Sequence, residues 1–197
     1  MKPYFLTHPI GVLYVLILAS WYGLELRQYV RQRRGRMSIS AADSQNFWAA
    51  FWGSTLITVL MLLLAPSLVP AAEIGHAGAL FGVGLAMLVC GAALRVWSIE
   101  TLGKYFTFTV KVSSDQPVVT AGPYRVLRHP GYAGGLLATI GIGVLYGNWL
   151  SLATIAVLFT VIVIWRIVIE ERALLAVLDD KYGGYAAHHK RLIPLVW

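Results

Sequence analysis

Apolar residues in this chain gather in long blocks rather than alternating or recurring every third or fourth position, as a half-buried strand or helix would need. Block length is what separates a membrane span from a core helix: a hydrocarbon layer about 30 Å thick takes about 20 mostly apolar residues per helix. Five blocks qualify, at residues 10–26, 47–64, about 77–97, 132–146 and 149 to about 169; Pro66 closes the second. The fourth is short and rich in glycine. Only Gly147 and Asn148 stand between the fourth and fifth, and both suit a turn, so the two predict a tight helical hairpin. Gly134, Gly135, Gly141 and Gly143 would let neighbouring helices approach closely. The predicted fold class is therefore all-α: a polytopic membrane helix bundle of about five transmembrane helices, with a cytoplasmic helical site near the C-terminus.

Composition and charge sharpen this picture. The 197 residues are 58% hydrophobic and 13% charged, against about 25% charged in a soluble domain. The net charge of +7 would suggest nucleic acid in a soluble protein; here topology is the more economical account, and no nucleic-acid partner is expected. Of the 16 Lys and Arg residues, 15 fall in three segments: 27–36, 95–128 and the tail from 166. The other two connections, 66–76 and 147–148, carry none. Basic and non-basic loops thus alternate, as the positive-inside rule requires of five spans with the N-terminus outside and the C-terminus in the cytoplasm. The first block is expected to be a retained span rather than a signal peptide. The chain divides into residues 1–100, with the first three spans, and 101–197, holding a cytoplasmic connector, the hairpin and a C-terminal helix.

Several chemistries are not expected. Cys90 is the single cysteine, so no intramolecular disulfide or Cys-based zinc site can form. His188 and His189 are adjacent rather than one helical turn apart, a poor metal pair. The glycine-rich signatures of soluble nucleotide-binding folds are absent.

Two clusters remain. The segment from Gly122 to Tyr132 reads Gly-Pro-Tyr-Arg-Val-Leu-Arg-His-Pro-Gly-Tyr and opens the fourth span. Pro130 suits a first helical turn, and free N–H groups there would receive a carboxylate. Tyr124 and Tyr132 offer aromatic faces to an adenine or a cation. An equally simple reading makes Arg125 and Arg128 interfacial anchors and the tyrosines part of an aromatic belt. The second cluster, Arg166 with Glu170 and Glu171, closes the fifth span, and Arg166 and Glu170 share a helix face. They fit a functional pair or a purely structural one. The hairpin brings His129 and Glu170 to the same side. Asp179, Asp180, Lys181, Tyr182 and Tyr185 are expected on a separate amphipathic cytoplasmic helix, the two aspartates as a solvated face.

At these residues the sequence resembles the isoprenylcysteine carboxyl methyltransferase family of integral membrane enzymes, whose broader relatives include phospholipid N-methyltransferases. The resemblance runs from about Leu102 to Trp197. It is carried by Gly122-x-Tyr124 followed by Arg128-His-Pro-x-Tyr132, by Arg166-x-x-x-Glu170-Glu171-x-x-Leu174, and by Tyr182-x-x-Tyr185 with Arg191-Leu-Ile-Pro194. It implies S-adenosylmethionine as methyl donor. The implied cofactor positions are Gln116, Pro117, Val118, Val119, Tyr124, His129, Pro130, Gly131, Tyr132 and Glu170. Arg166 matches the family arginine at the acceptor carboxylate, a substrate-binding and catalytic role. The family often has His where Gln116 stands and Leu where Val118 stands. The implied partners are the bilayer and a lipophilic, prenylated or similar methyl acceptor. Two other functions stay open: N- or S-methylation of a phospholipid amine or small thiol, and a non-enzymatic membrane scaffold.

Overall fold

The computed structural model describes residues 68–74, 77–106 and 112–193, with helical residues scattered between 16 and 65. The first predicted span and the basic segment 27–36 lie, apart from isolated positions, outside the described residues. The second span is described at 52–58, 60, 61 and 64, all helical. Three long helices carry the rest: α1 (Ala77–Leu102), α2 (Pro130–Tyr146) and α3 (Trp149–His188). Among the described residues there is no strand, only two isolated β-bridges, Glu73 with Asn148 and Leu127 with Lys190.

The hairpin forms as its sequence predicts. Pro130 occupies the first turn of α2, where its missing N–H costs no hydrogen bond. Gly147 ends the helix in the left-handed region at φ 61°, which glycine enters without a Cβ penalty. Asn148 then caps α3, its side-chain oxygen accepting from Leu150 N (3.0 Å) and Ser151 N (3.1 Å). Ile74 N donates to Gly147 O (2.7 Å), fastening the preceding loop to the turn. Ser151 Oγ donates to Met61 O (3.2 Å), tying the second apolar stretch to the same end.

Helices α1 and α2 touch backbone to backbone. A Cβ built on Gly134 would lie 2.6 Å from Gly91 O, and one on Gly141 would lie 2.7 Å from Gly84 O. The pairs 84/141 and 91/134 run in opposite directions at a seven-residue interval, so the helices are antiparallel along a glycine seam. Around it Phe81, Leu88, Ala138, Ile142, Leu145 and Ile155 form the core.

Among the described residues two helices are long and apolar enough to cross a membrane, α1 and α3, while α2 is a shorter apolar helix of 17 residues. Val83 and Val89 on α1, and Val157 and Val161 on α3, turn outward and are exposed, an arrangement suited to lipid. Both helices differ from their predicted extents. Helix α1 continues past 97 to Leu102. Helix α3 does not end near 169 but runs on to Leu178, where Asp179 breaks it and a second helical segment continues to His188. Hydropathy locates the edge of an apolar stretch, and no Gly or Pro stands between 170 and 178 to stop the helix there. The predicted C-terminal helix is present as the segment of α3 beyond Asp179, whose non-helical backbone (φ 44°, ψ −123°) divides the two.

Candidate functional site

The connector between α1 and α2 is folded by glycine, proline and distant tyrosine. Gly122 takes φ 55°, and a Cβ there would meet Thr101 Oγ1 at 2.9 Å, so both conformation and space demand glycine. Pro123 then opens a 3-10 turn, Gly122–Arg125, that buries Tyr124. From α3, Tyr185 donates its hydroxyl to Tyr124 O (2.7 Å) and Leu127 O (3.2 Å). The chain after α3 completes the frame: Arg128 N donates to Lys190 O (2.8 Å) and His129 N to Arg191 O (3.0 Å). Arg95 Nη1 on α1 donates to Gly131 O (3.1 Å), so α1 also holds the start of α2.

Adjacent carboxylates then serve different partners. Glu171 is buried and accepts from Arg128 Nη1 (2.8 Å), Arg191 Nε (2.8 Å) and His129 Nε2 (3.1 Å). It is the knot joining the connector, α3 and the tail. Glu170 instead accepts from Tyr132 Oη (2.7 Å), and Tyr132 Oη accepts from Arg166 Nε (3.2 Å). Arg166 and Glu170 are thus bridged by a tyrosine from α2. Burial, then the nearby Glu170 charge, pushes the Tyr124 phenol well above its ordinary range, so it stays neutral.

These groups surround a partly open cleft. Gln116, Pro117, Val118, Val119, Tyr124, His129, Gly131, Tyr132, Arg166 and Glu170 all border it. Pro130 does not: it is fully buried and shapes the helix start. The free N–H groups expected at that start are largely occupied, since Tyr132 N and Ala133 N both donate to His129 O at 3.1 Å. His129 is 5% exposed, with its ring nitrogen on Glu171, so it faces the cleft chiefly as a ring edge. Asp179 and Asp180 are exposed and border no cleft. Among the described residues no three His, Cys, Asp or Glu side chains converge as a metal site would need.

The roles of Arg95, Arg128, Glu171 and Arg191 were not legible in the sequence. Glu171 and Arg191 stood inside the recognised motifs with no task assigned, because their pairing spans 20 residues and a chain reversal. Doubled carboxylates facing an Arg-His pair were the available signal.

A profile of the phospholipid methyltransferase family matches residues 79–181, just over half of the chain, and stops short of Tyr182, Tyr185 and the tail. The chain belongs to this family. It is 33% identical over 115 residues to protein-S-isoprenylcysteine O-methyltransferase B of Arabidopsis thaliana, covering 57% of this chain and 58% of that protein. A protein-S-isoprenylcysteine O-methyltransferase of Schizosaccharomyces pombe is 33% identical over 119 residues, 57% of this chain and 48% of that one. The chain thus spans little more than half the length of the curated relatives it matches. Among solved structures it is similar to the eukaryotic intramembrane Ras methyltransferase ICMT (isoprenylcysteine carboxyl methyltransferase), with TM-score 0.63 and 28% identity over 74% of this chain and 52% of that one. The helical architecture around the cleft is therefore that of an isoprenylcysteine methyltransferase, as the motifs imply.

Proposed function

We propose that the protein is a membrane-embedded, S-adenosylmethionine-dependent methyltransferase that O-methylates the carboxylate of an isoprenylated cysteine or a similar lipophilic acceptor. The observation that carries this reading is the Arg166–Tyr132–Glu170 chain, which presents a cation and a carboxylate on one wall of a partly apolar cleft. Relatives named for the same reaction support it.

The cleft fits the donor chemically. It has tyrosine faces for a base, a carboxylate for an ammonium or ribose hydroxyl, and buried polar atoms left without partners, Arg128 Nε and Tyr182 Oη. In our reading Gln116 to Val119, Tyr124, His129, Gly131, Tyr132 and Glu170 hold it, and Pro130 acts only through the helix start. When bound, S-adenosylmethionine supplies an electrophilic methyl group on its sulfonium. Arg166 holds the acceptor carboxylate bidentately and keeps it ionised, so no general base is needed. Tyr132 fixes the Arg166 guanidinium and orients Glu170, so the two reactants meet in line; positioning in a water-poor site supplies most of the acceleration. Five spans, an external N-terminus, a cytoplasmic site and the division at residue 100 belong to this proposal; the exposed apolar faces of α1 and α3 support the membrane placement.

The family's phospholipid methyltransferase profile favours one rival, methylation of a lipid amine, in which Arg166 would meet a phosphate. Calorimetry with S-adenosylhomocysteine on detergent-solubilised protein tests the donor. Wild type is expected to bind, and Glu170→Ala to lose at least about tenfold, a charged hydrogen bond's worth; no binding by folded wild type sinks the reading. Labelled S-adenosylmethionine with farnesylcysteine or phosphatidylethanolamine then tests the acceptor. Label is expected on the former, abolished by Arg166→Ala; label on the amine alone transfers the assignment to the rival.

A further inference from the structure

Tyr182 lies beyond the kink of α3, is 4% exposed and borders the cleft, yet its hydroxyl has no hydrogen-bond partner. Arg128 also borders the cleft. Its Nη1 is engaged by Glu171 at 2.8 Å, while its Nε is buried and without a partner. Buried polar groups are paired in the great majority of cases, so an orphan beside a cavity points to a partner that arrives from outside. Arg128 Nε can only donate and Tyr182 Oη can donate as well as accept, so one acceptor satisfies both. The charges say which kind: Arg128 and Arg191 meet the single carboxylate of Glu171, leaving one positive charge in excess among these groups. At the helix start Tyr132 N and Ala133 N are already bonded to His129 O and do not compete for the same ligand atom.

We infer that Tyr182 Oη and Arg128 Nε form a subsite for a carboxylate, that of the amino-acid moiety of the methyl donor. The inference rests on the methyltransferase reading above, since the amino-acid carboxylate is the one anionic group of S-adenosylmethionine. It divides the cleft's polar work. Glu170 and Tyr132 serve the cationic side of the ligand, and the orphan donors serve its anionic side. It also gives Glu171 a second duty, as the residue that aims Arg128 by holding the far end of its guanidinium.

The test compares two ligands on the full-length protein in detergent: S-adenosylhomocysteine and its decarboxylated analogue, which keeps the ammonium. Tyr182→Phe removes one oxygen and keeps the ring. It is expected to weaken S-adenosylhomocysteine by about tenfold, the worth of a hydrogen bond to a charged group, and to leave the analogue's affinity unchanged. Arg128→Lys, which keeps a cation beside Glu171 but removes the Nε donor, is expected to discriminate in the same direction and carries the test if the tyrosine variant does not fold. Equal losses for both ligands, or no loss for either, would overturn the subsite while leaving the donor assignment intact. Wild type that binds neither ligand overturns both.

Discussion

The two ends of the α2–α3 hairpin are built on opposite principles. At the turn, the stop and start of the helices are local: Gly147 ends one, Asn148 starts the next, and the capping bonds reach only two and three residues ahead, with the bonds from Ile74 and to Met61 added from outside. At the cleft, order is remote: His129 meets Glu171 across 42 residues and Tyr185 meets the Tyr124 carbonyl across 61. A local end is cheap to specify and tolerant of its surroundings. A remote end forms only when the connector, two helices and the tail are all in place, so the site doubles as a check on the fold around it.

The sharpest way to break the contrast is to remove the knot at the remote end. Glu171→Ala leaves Arg128, Arg191 and His129 facing a vacated carboxylate in a buried place. Removing one partner of a buried pair costs about 3–5 kcal/mol. The expected outcome is a large drop in thermal stability in detergent, with proteolysis beginning in the tail from residue 189. If Glu171→Ala melts within a degree or two of wild type, the knot contributes little and the remote end is held by backbone bonds alone.

This difference also decides what could be read from the chain. The turn was legible because its whole signal sits in two adjacent residues. The glycine seam was half legible: Gly134 and Gly141 announced a close approach, while their partners Gly84 and Gly91 lay in a block with no mark to single them out. The cleft residues were found through their motifs, and all but Pro130 do border it. The Glu171 knot was not legible, because charge pairs across chain reversals leave no spacing to detect. The length of α3 was misjudged for another reason: apolarity ends where the membrane would end, while a helix ends only where a stop signal appears.

A milder change probes the local end. Asn148→Ala removes the acceptor for Leu150 N and Ser151 N and is expected to cost about 1 kcal/mol, the usual loss at an N-cap. Asn148→Ser, which keeps an oxygen at the cap, should recover part of it. Neither should alter S-adenosylhomocysteine affinity, because the turn lies at the far end of α2 from the cleft. A matching loss of affinity in calorimetry would show that the two ends are not independent.

The smallest expected effect has the opposite sign and sits between the two regimes. Asp179 holds φ 44° with ψ −123° inside α3, a region that a residue with a Cβ enters only under strain, of order 1–3 kcal/mol. Its side chain is exposed and borders no cleft, so nothing local compensates. What over-determines the kink lies on either side of it: Glu171 bound to the connector before it, and Tyr185 bound to the connector after it. The two grips hold the chain on either side of the bend. Asp179→Gly relieves the strain but frees the unfolded chain, so the net stabilisation should be under about 1 kcal/mol, read as a slightly higher melting temperature with ligand affinity retained. Asp179→Ala keeps the Cβ and should gain nothing. If the glycine variant is instead destabilised by a kcal/mol or more, the kink is not strained, and the grip of the remote end on α3 is weaker than its hydrogen bonds imply.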